Sequence, residues 1–363
     1  MPNEREIEAK LPRGSRSEKD RPNLKGLLLP ELERLVTDLG EPKFRAGQLA
    51  SWMFGKAVTS FDEMTDLSKG FRTALQQKTA ITGASLIRES RSHYSPTTKY
   101  LLGLEDGQPV EIVLIGGRER NTLCISSQVG CAIGCRFCAS GLAGLSRNMT
   151  AAEIVDQVIQ VRRLAPNRAI TNVVIMGMGE PLANYNNVLR AVRILNAPWG
   201  LGIGARKITL STSGIAPKIH QLAREDFQFE LSVSLHAADD RTRSAIVPIN
   251  RRYPLDVLME ACRAYIAATH RIITFEYVLL KGVNDRFEDA NRLVTLLRPL
   301  KGKVNLIPYN PVEGLPYETP DEGRQAAFLQ ILHSGGITTT VRRERGRDID
   351  AACGQLRLKE KSR

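Results

Sequence analysis

Two hydrophobic periods divide the chain. From Leu24 the period is helical: in PELERLVTDLG the apolar residues Leu32, Leu35, Val36 and Leu39 fall at i, i+3, i+4 and i+7, with Pro30 near the start and Gly40 at the stop, which lays one apolar stripe along a helix. A second helix is predicted from about Phe44 through Leu49, Trp52 and Met53, and a third from roughly Leu67 to Lys78. These make a small helical domain over residues 23–82. Residues 83–120 switch to short alternating runs, TKYLLGL and PVEIVLI around the turn Glu105-Asp106-Gly107, which reads as a β-hairpin linking two domains.

From Thr122 onward strand-like runs (TLCIS, NVVIMGM, KITLST, FELSVSL, IITFEYVLL, VNLIPY, ITTTVR) alternate with helical stretches at about 150–163, 187–196, 215–224, 254–268, 285–298 and 321–333. Thr150 and Glu153 form a capping box at the first of these. Alternation of this kind predicts a parallel sheet, doubly wound or curved into a barrel, over residues 121–345. Residues 346–363 follow as a C-terminal segment. Residues 1–22 carry six basic and five acidic side chains and almost no large apolar ones, so a disordered tail is expected there.

In β/α barrels the site is built at the carboxyl ends of the strands, and five strand ends here carry small or polar residues. A cysteine loop follows TLCIS, Gly177-Met178-Gly179-Glu180-Pro181 follows NVVIM, Ser211-Thr212-Ser213-Gly214 follows KITL, Ser234-Leu235-His236 ends FELSV, and Tyr309-Asn310-Pro311 follows VNLIP. Each motif has a structural reading beside the ligand one. The glycines suit a tight turn, Ser211 and Ser213 suit a helix cap, His236 suits a satisfied buried imidazole, and Asn310 suits a turn before proline. Five on one rim point to a single bound ligand.

Charge adds a partner class. The 363-residue chain has 51 Lys and Arg against 39 Asp and Glu, a net +12, which attracts polyanions, nucleic acid above all. No apolar run approaches the ~18 residues that cross a bilayer, and the start lacks an apolar signal segment. A cytoplasmic protein with no membrane partner is expected.

The chemistry concentrates in Gln128–Ser140, QVGCAIGCRFCAS, where Cys131, Cys135 and Cys138 stand in C-x3-C-x2-C spacing. Three thiols gathered in one short loop call for a soft cation. Zinc in a structural site takes four protein ligands, and no fourth lies nearby. A [4Fe–4S] cluster on three cysteines leaves one iron open for a small molecule. Of the other cysteines, Cys262 reads as helix core, with Leu258 and Ile266 four residues to either side, while Cys124 lies on the strand feeding the loop. Cys353 follows Arg342, Arg343, Arg345 and Arg347, which read as a phosphate-binding patch that would bias a nearby thiol toward thiolate.

The stretches TLCISSQVGC, RNMTAAEI, VVIMGMGEPLANYNNV, ITLSTSGI, LSVSLHA, IVPINRRY, NLIPYNP and DIDAACGQL together resemble the RlmN/Cfr family of radical S-adenosylmethionine (SAM) RNA methyltransferases, and the RlmN branch more closely. The likeness runs from about Leu24 to Leu356. One departure is CASGLAG, where the family more often has a Ser-Thr pair after the last cluster cysteine.

The resemblance implies an α/β fold, a partial (β/α)6 radical-SAM barrel with a small helical N-terminal domain. It implies a [4Fe–4S] cluster on Cys131, Cys135 and Cys138, and SAM contacts from Gly179, Glu180, Ser211, Ser234, Leu235, His236 and Asn310. It implies methylation of carbon 2 of an adenine in 23S rRNA and in tRNA, with flavodoxin or ferredoxin as electron donor and a monomeric enzyme. Cys353 would take a methyl group from one SAM and deliver it to the ring as a carbon radical after a second SAM is cleaved. Cys124 would release the adduct by forming a disulfide with Cys353, and Glu111 would transfer a proton. Carbon-8 methylation, as in the Cfr branch, and a radical enzyme acting on a protein or metabolite are the competing readings; the second leaves Cys124, Cys353 and the arginines unexplained.

Overall fold

The structure, a computed structural model, describes residues 21–142, 144–342 and 345–356. The helical domain comprises α1 (Leu29–Asp38), α2 (Arg45–Ala50), which runs on as a π-helical turn through Gly55, and α3 (Lys69–Lys78), capped by Ser68. The expected tail at residues 1–20 lies outside the described residues, but Arg21 and Pro22, also assigned to it, are tied down. Arg21 Nη1 donates to Gln76 O at 2.5 Å and Pro22 O accepts from Ala80 N at 3.1 Å.

The predicted hairpin is a larger antiparallel meander. Strand β1 (Ser85–Arg91) joins β2 (Thr97–Gly103) and β3 (Pro109–Gly116), and β3 pairs in turn with β4 (Asn121–Ile125). SLIRESR escaped prediction because it is nearly all exposed and has no apolar face for periodicity to register. After β4 the chain makes a two-stranded ribbon, β5 (Gln128–Gly130) with β6 (Leu145–Asn148), spanning the cysteine loop and its short helix α4 (Ala139–Leu142).

The remaining strands, β7 (Asn172–Ile175), β8 (Ile208–Thr212), β9 (Glu230–Ser234), β10 (Ile273–Leu279), β11 (Gly302–Pro308) and β12 (Thr339–Val341), continue from β4 in parallel register. The order β1-β2-β3-β4-β7-β8-β9-β10-β11-β12 is linear, so the sheet curls without closing. Its crossovers are α5 (Ala151–Leu164), α6 (Tyr185–Asn196), α7 (Ala216–Leu222), α9 (Leu255–Thr269), α10 (Phe287–Leu297) and α11 (Glu322–Ser334). An insertion after β9, the helix α8 (Asp240–Ile246) with a turn at Pro248–Arg251, had no periodic signal. Among the described residues no helix is long and apolar enough to cross a membrane.

One apolar core runs through the helical domain and the barrel, and the seam is also ionic. Lys25 Nζ lies 2.6 Å from Asp156 Oδ1 on α5, with both side chains almost wholly buried. Asp156 Oδ2 also accepts from Ala84 N at 2.7 Å. Gly26 passes α5 so closely that a Cβ would stand 3.0 Å from Ala152 N. Removing one partner strands a buried charge. Lys25→Met is therefore expected to lower unfolding stability by ~3–5 kcal/mol, and Lys25→Met with Asp156→Asn to recover part of the loss; urea unfolding measures both.

Candidate active site

The cysteine loop is made by its anchors. Gly130, at φ +77°, lets the chain turn where a Cβ would strike Gly144 O, and Cys131 N donates to that oxygen at 2.8 Å. Arg136 N donates to Ile246 O in the insertion at 2.9 Å, and Ala139 N to Gly354 O at 2.8 Å. Ser140 Oγ donates to Leu356 O at 2.7 Å. Phe137, between the last two cysteines, sits in a small apolar cluster with Ile246, Val247, Val278 and Tyr309.

Cys131, Cys135 and Cys138 line one cavity of about 160 Å³ with Gly179, Glu180, Ser211, Ser213, Ser234, His236 and Asn310. Among the described residues no three His, Cys, Asp or Glu side chains already stand as a coordination shell. Burial raises all three thiol pKa values, Cys131 to about 11, and for Cys135 the other two thiols and Glu180 push the same way. A bound cation reverses that order by holding the sulfurs as thiolates, so the donor set fits a thiophilic centre. The buried Ser213 Oγ, Tyr309 OH and Asn310 Oδ1, all on residues of this cavity, have no protein partner, which fits a polar ligand beside it.

Glu180 is a buried carboxylate of the cavity, and burial raises its pKa against the donors it holds. Oε1 accepts from Leu182 N at 2.9 Å and Thr212 Oγ1 at 2.8 Å, and Oε2 from Ser213 N at 2.7 Å. A carboxylate offers about four acceptor positions, and these bonds take three of them. Gly179, at φ +103°, lies against Gln128, whose Cβ a side chain at 179 would meet at 2.6 Å.

His236 packs edge-on to Phe137, with centroids 4.8 Å apart, and its Nδ1 accepts from Val278 N at 3.1 Å. That bond puts the proton of the neutral ring on Nε2. Burial, with the Arg243 charge second, pushes its pKa down to about 3. Leu235 is fully buried and contributes only backbone: its N–H donates to Glu276 O and its carbonyl accepts from Arg243.

The C-terminal segment carries Cys353 back into the mouth. Arg342 Nη1 donates to Cys353 Sγ at 3.2 Å, and Cys353 is the main cause of the raised Arg342 pKa. Arg342 thus turns inward onto the thiol, so of the four arginines read as a phosphate patch this one bonds Cys353 itself. Arg343 lies outside the described residues, and Arg345 donates to Gly116 O. Cys124, buried on β4, shares a cavity of about 60 Å³ with Cys353 and Arg342. Burial, with Cys353 second, pushes its thiol up to about 12. Cys124 and Cys353 are both free thiols in this structure.

Glu111 is buried on β3, not solvent-facing, and Lys99 Nζ lies 3.0 Å from its Oε1. The same ammonium donates to Asp350 O at 3.2 Å, linking the acid to the segment that bears Cys353. Cys262 is fully buried on α9.

Three residues that sequence patterning passed over organise the site. Glu276 lines the cavity and accepts from Asn305 Nδ2 at 2.8 Å; a lone acid in the apolar run IITFEYVLL was the available signal. Lys99 in TKYLLGL is similar. Arg243 gave no signal, yet its buried guanidinium donates to Leu235 O, Ser234 O, Ser213 O and Asn250 Oδ1 at 2.8–3.0 Å.

An open parallel barrel with three thiols and a ligand cavity at its mouth defines the radical SAM class, and the Radical SAM superfamily model matches residues 125–294. The ribosomal RNA large subunit methyltransferase N-terminal domain matches residues 22–81. The chain is 49% identical over 334 residues to the dual-specificity RNA methyltransferase RlmN of Syntrophobacter fumaroxidans, covering 92% of this chain and 97% of that one. It is 50% identical to a probable RlmN of Pelotomaculum thermopropionicum, covering 94% and 92%. A crystal structure of a radical SAM methyltransferase from Sphaerobacter thermophilus superposes with TM-score 0.89 at 48% identity, covering 93% of this chain and 99% of that one. The chain belongs to the RlmN family of radical SAM RNA methyltransferases.

Replacing any one of Cys131, Cys135 or Cys138 by Ala is expected to abolish iron binding and reductive SAM cleavage, because three ligands leave no spare; iron content and 5′-deoxyadenosine release measure it. His236 gives a pH signature. Its pKa is near 3 folded and ~6.5 unfolded, so between those values the unfolded chain holds the extra proton. Stability present above pH 6.5 is lost as pH falls. Against His236→Gln, urea unfolding should show wild type losing ~1.4 kcal/mol more per pH unit below pH 6.

Proposed function

We propose that this chain methylates carbon 2 of an adenine in 23S rRNA and in tRNA, using Cys353 as methyl carrier and Cys124 as the group that frees the product. One observation carries the reading. Cys353 lies where two cavities meet: the one lined by the three cysteines and Glu180, and a wide cleft of about 1270 Å³ along the barrel interior, lined by Arg118, Arg120, Thr122, Asn172 and Arg345. A carrier must face donor and acceptor in turn.

When bound, the cluster and SAM would supply the methyl group, the electron and the radical chemistry, with a flavodoxin or ferredoxin as electron source. Cys131, Cys135 and Cys138 would hold the cluster; Glu180, Ser213 and Asn310 would take polar groups of SAM. Gly179, Ser211, Ser234 and His236 would shape the same ligand's seat, with Leu235 fixing the strand end. Carbon 2 of adenine is electron-poor and does not attack a sulfonium methyl, so a covalent carrier divides the reaction into feasible steps. The Cys353 thiolate displaces the methyl from sulfonium, forming a thioether and leaving a neutral sulfide. Arg342, 3.2 Å from that sulfur, balances the thiolate charge beforehand. Once carbon has joined the ring, the unpaired electron would return to the cluster and the ring proton would leave to a base. The Cys124 thiolate then attacks Cys353 Sγ, the carbon–sulfur bond breaks as the disulfide forms, and the freed methylene takes a proton to complete the methyl group; Glu111, paired with Lys99, is an acid beside the segment that could exchange these protons. In this reading residues 23–82 face RNA, 83–120 link, 121–345 house the cofactors and the segment after 345 carries the methyl.

Two thiols with different tasks fail differently. Cys353→Ala should yield no methylated protein and no RNA adduct. Cys124→Ala keeps the acceptor but cannot resolve the adduct, so protein purified from cells should carry a slower, nuclease-sensitive band on a denaturing gel. Normal turnover by Cys124→Ala, read by mass spectrometry of 2-methyladenosine, would refute the two-thiol mechanism.

A further inference from the structure

Two turns, β1–β2 and β3–β4, meet beside the C-terminal segment and form a surface the thiol pair does not use. The turn between β1 and β2 is braced. Asp348 accepts from Ser92 Oγ at 2.8 Å and from His93 N at 2.9 Å. Ser92 Oγ accepts from the N–H groups of Tyr94 and Ser95 at 3.2 and 3.1 Å. Pro96 O accepts from Gly116 N at 2.9 Å and Arg168 Nη2 at 2.8 Å. On this turn Tyr94 is 89% exposed, more than any other large apolar side chain among the described residues.

A single exposed ring is ordinary. What distinguishes Tyr94 is a fixed backbone beneath it and the charge around it. Gly116 leads into the β3–β4 turn, whose Arg118 and Arg120 line the wide cleft that ends at Cys353, as does Arg345. Of the nearby acids, Asp348 is engaged as the cap and Glu119 stands on the same turn as two arginines. An exposed aromatic ring on a braced turn, beside a turn whose arginines line a cleft, matches unpaired RNA, whose bases stack on aromatic rings while arginines take the phosphates.

We propose that Tyr94 stacks on an unpaired base beside the target adenine while Arg118, Arg120 and Arg345 hold the flanking phosphates, so that this rim selects adenines in unpaired loops. The proposal rests on the RNA-methylating function above. Stacking removes apolar ring surface from water without reading the base, so sequence is tolerated and pairing is not: a paired base keeps its faces inside the duplex.

The test is fluorescence anisotropy with the anaerobically purified 363-residue chain, a labelled RNA hairpin carrying adenine in its loop, and a blunt RNA duplex. Tyr94→Ala should weaken hairpin binding about fivefold or more and leave duplex binding unchanged, while Tyr94→Trp restores it. Arg118→Gln with Arg120→Gln should weaken both RNAs and flatten the salt dependence. Cys353 methylation, which needs no RNA, should stay at the wild-type level in Tyr94→Ala by peptide mass. Wild-type hairpin affinity in Tyr94→Ala overturns the stacking role and leaves the function standing. Failure of the unaltered chain to bind either RNA overturns both.

Discussion

The barrel mouth depends on burying one guanidinium. A charge out of water is costly unless each donor finds a partner, and Arg243 meets the requirement with carbonyls from the ends of two adjacent strands and with Asn250. Burial still pulls its pKa down to about 10. To satisfy that cation the ends of β8 and β9 must sit at one height and the insertion must fold over them. The insertion then offers Ile246 O to Arg136 N, so the position of the cysteine loop is inherited from an arginine whose own bonds go to strand-end carbonyls and Asn250.

A second dependence runs the other way around the mouth. The segment bearing Cys353 has little regular structure, and three groups of residues hold it: Lys99, then Asn310 and Pro311, and then Ala139 and Ser140. None of these bonds is strong alone. Together they keep one sulfur within reach of Arg342 while leaving its other sides to the two cavities. A covalent carrier on a rigid strand could face only one of them.

Sequence disclosed the mouth better than its supports. Cys131, Cys135, Cys138, Glu180, Ser213, His236 and Asn310 were visible because polar residues interrupt apolar strands at regular positions, and a barrel brings every strand end to one rim. The parallel order was legible for the same reason. Arg243 and the insertion were not, because a short helix without an apolar stripe resembles a loop. Arg342 was legible as one of four arginines close to Cys353 in sequence, but not as the one that bonds its sulfur, because a run of arginines does not show which side chain turns inward. Glu111 was ambiguous in EIVLI, since alternation gives a side of the sheet but not what covers that side.

The hydrogen bonds joining Ala139 to Gly354 and Ser140 to Leu356 have a bearing on how the enzyme is made. A chain leaves the ribosome amino end first, and the partner of Ser140 is 216 residues further on. The helical domain, the meander and much of the barrel have their neighbours early, but the cysteine loop gains its outer wall only when residues 354–356 have been synthesised and docked. Until then three thiols stand at an unfinished site open to oxidants and stray metal. The walls around the three thiols are accordingly complete only in the completed chain.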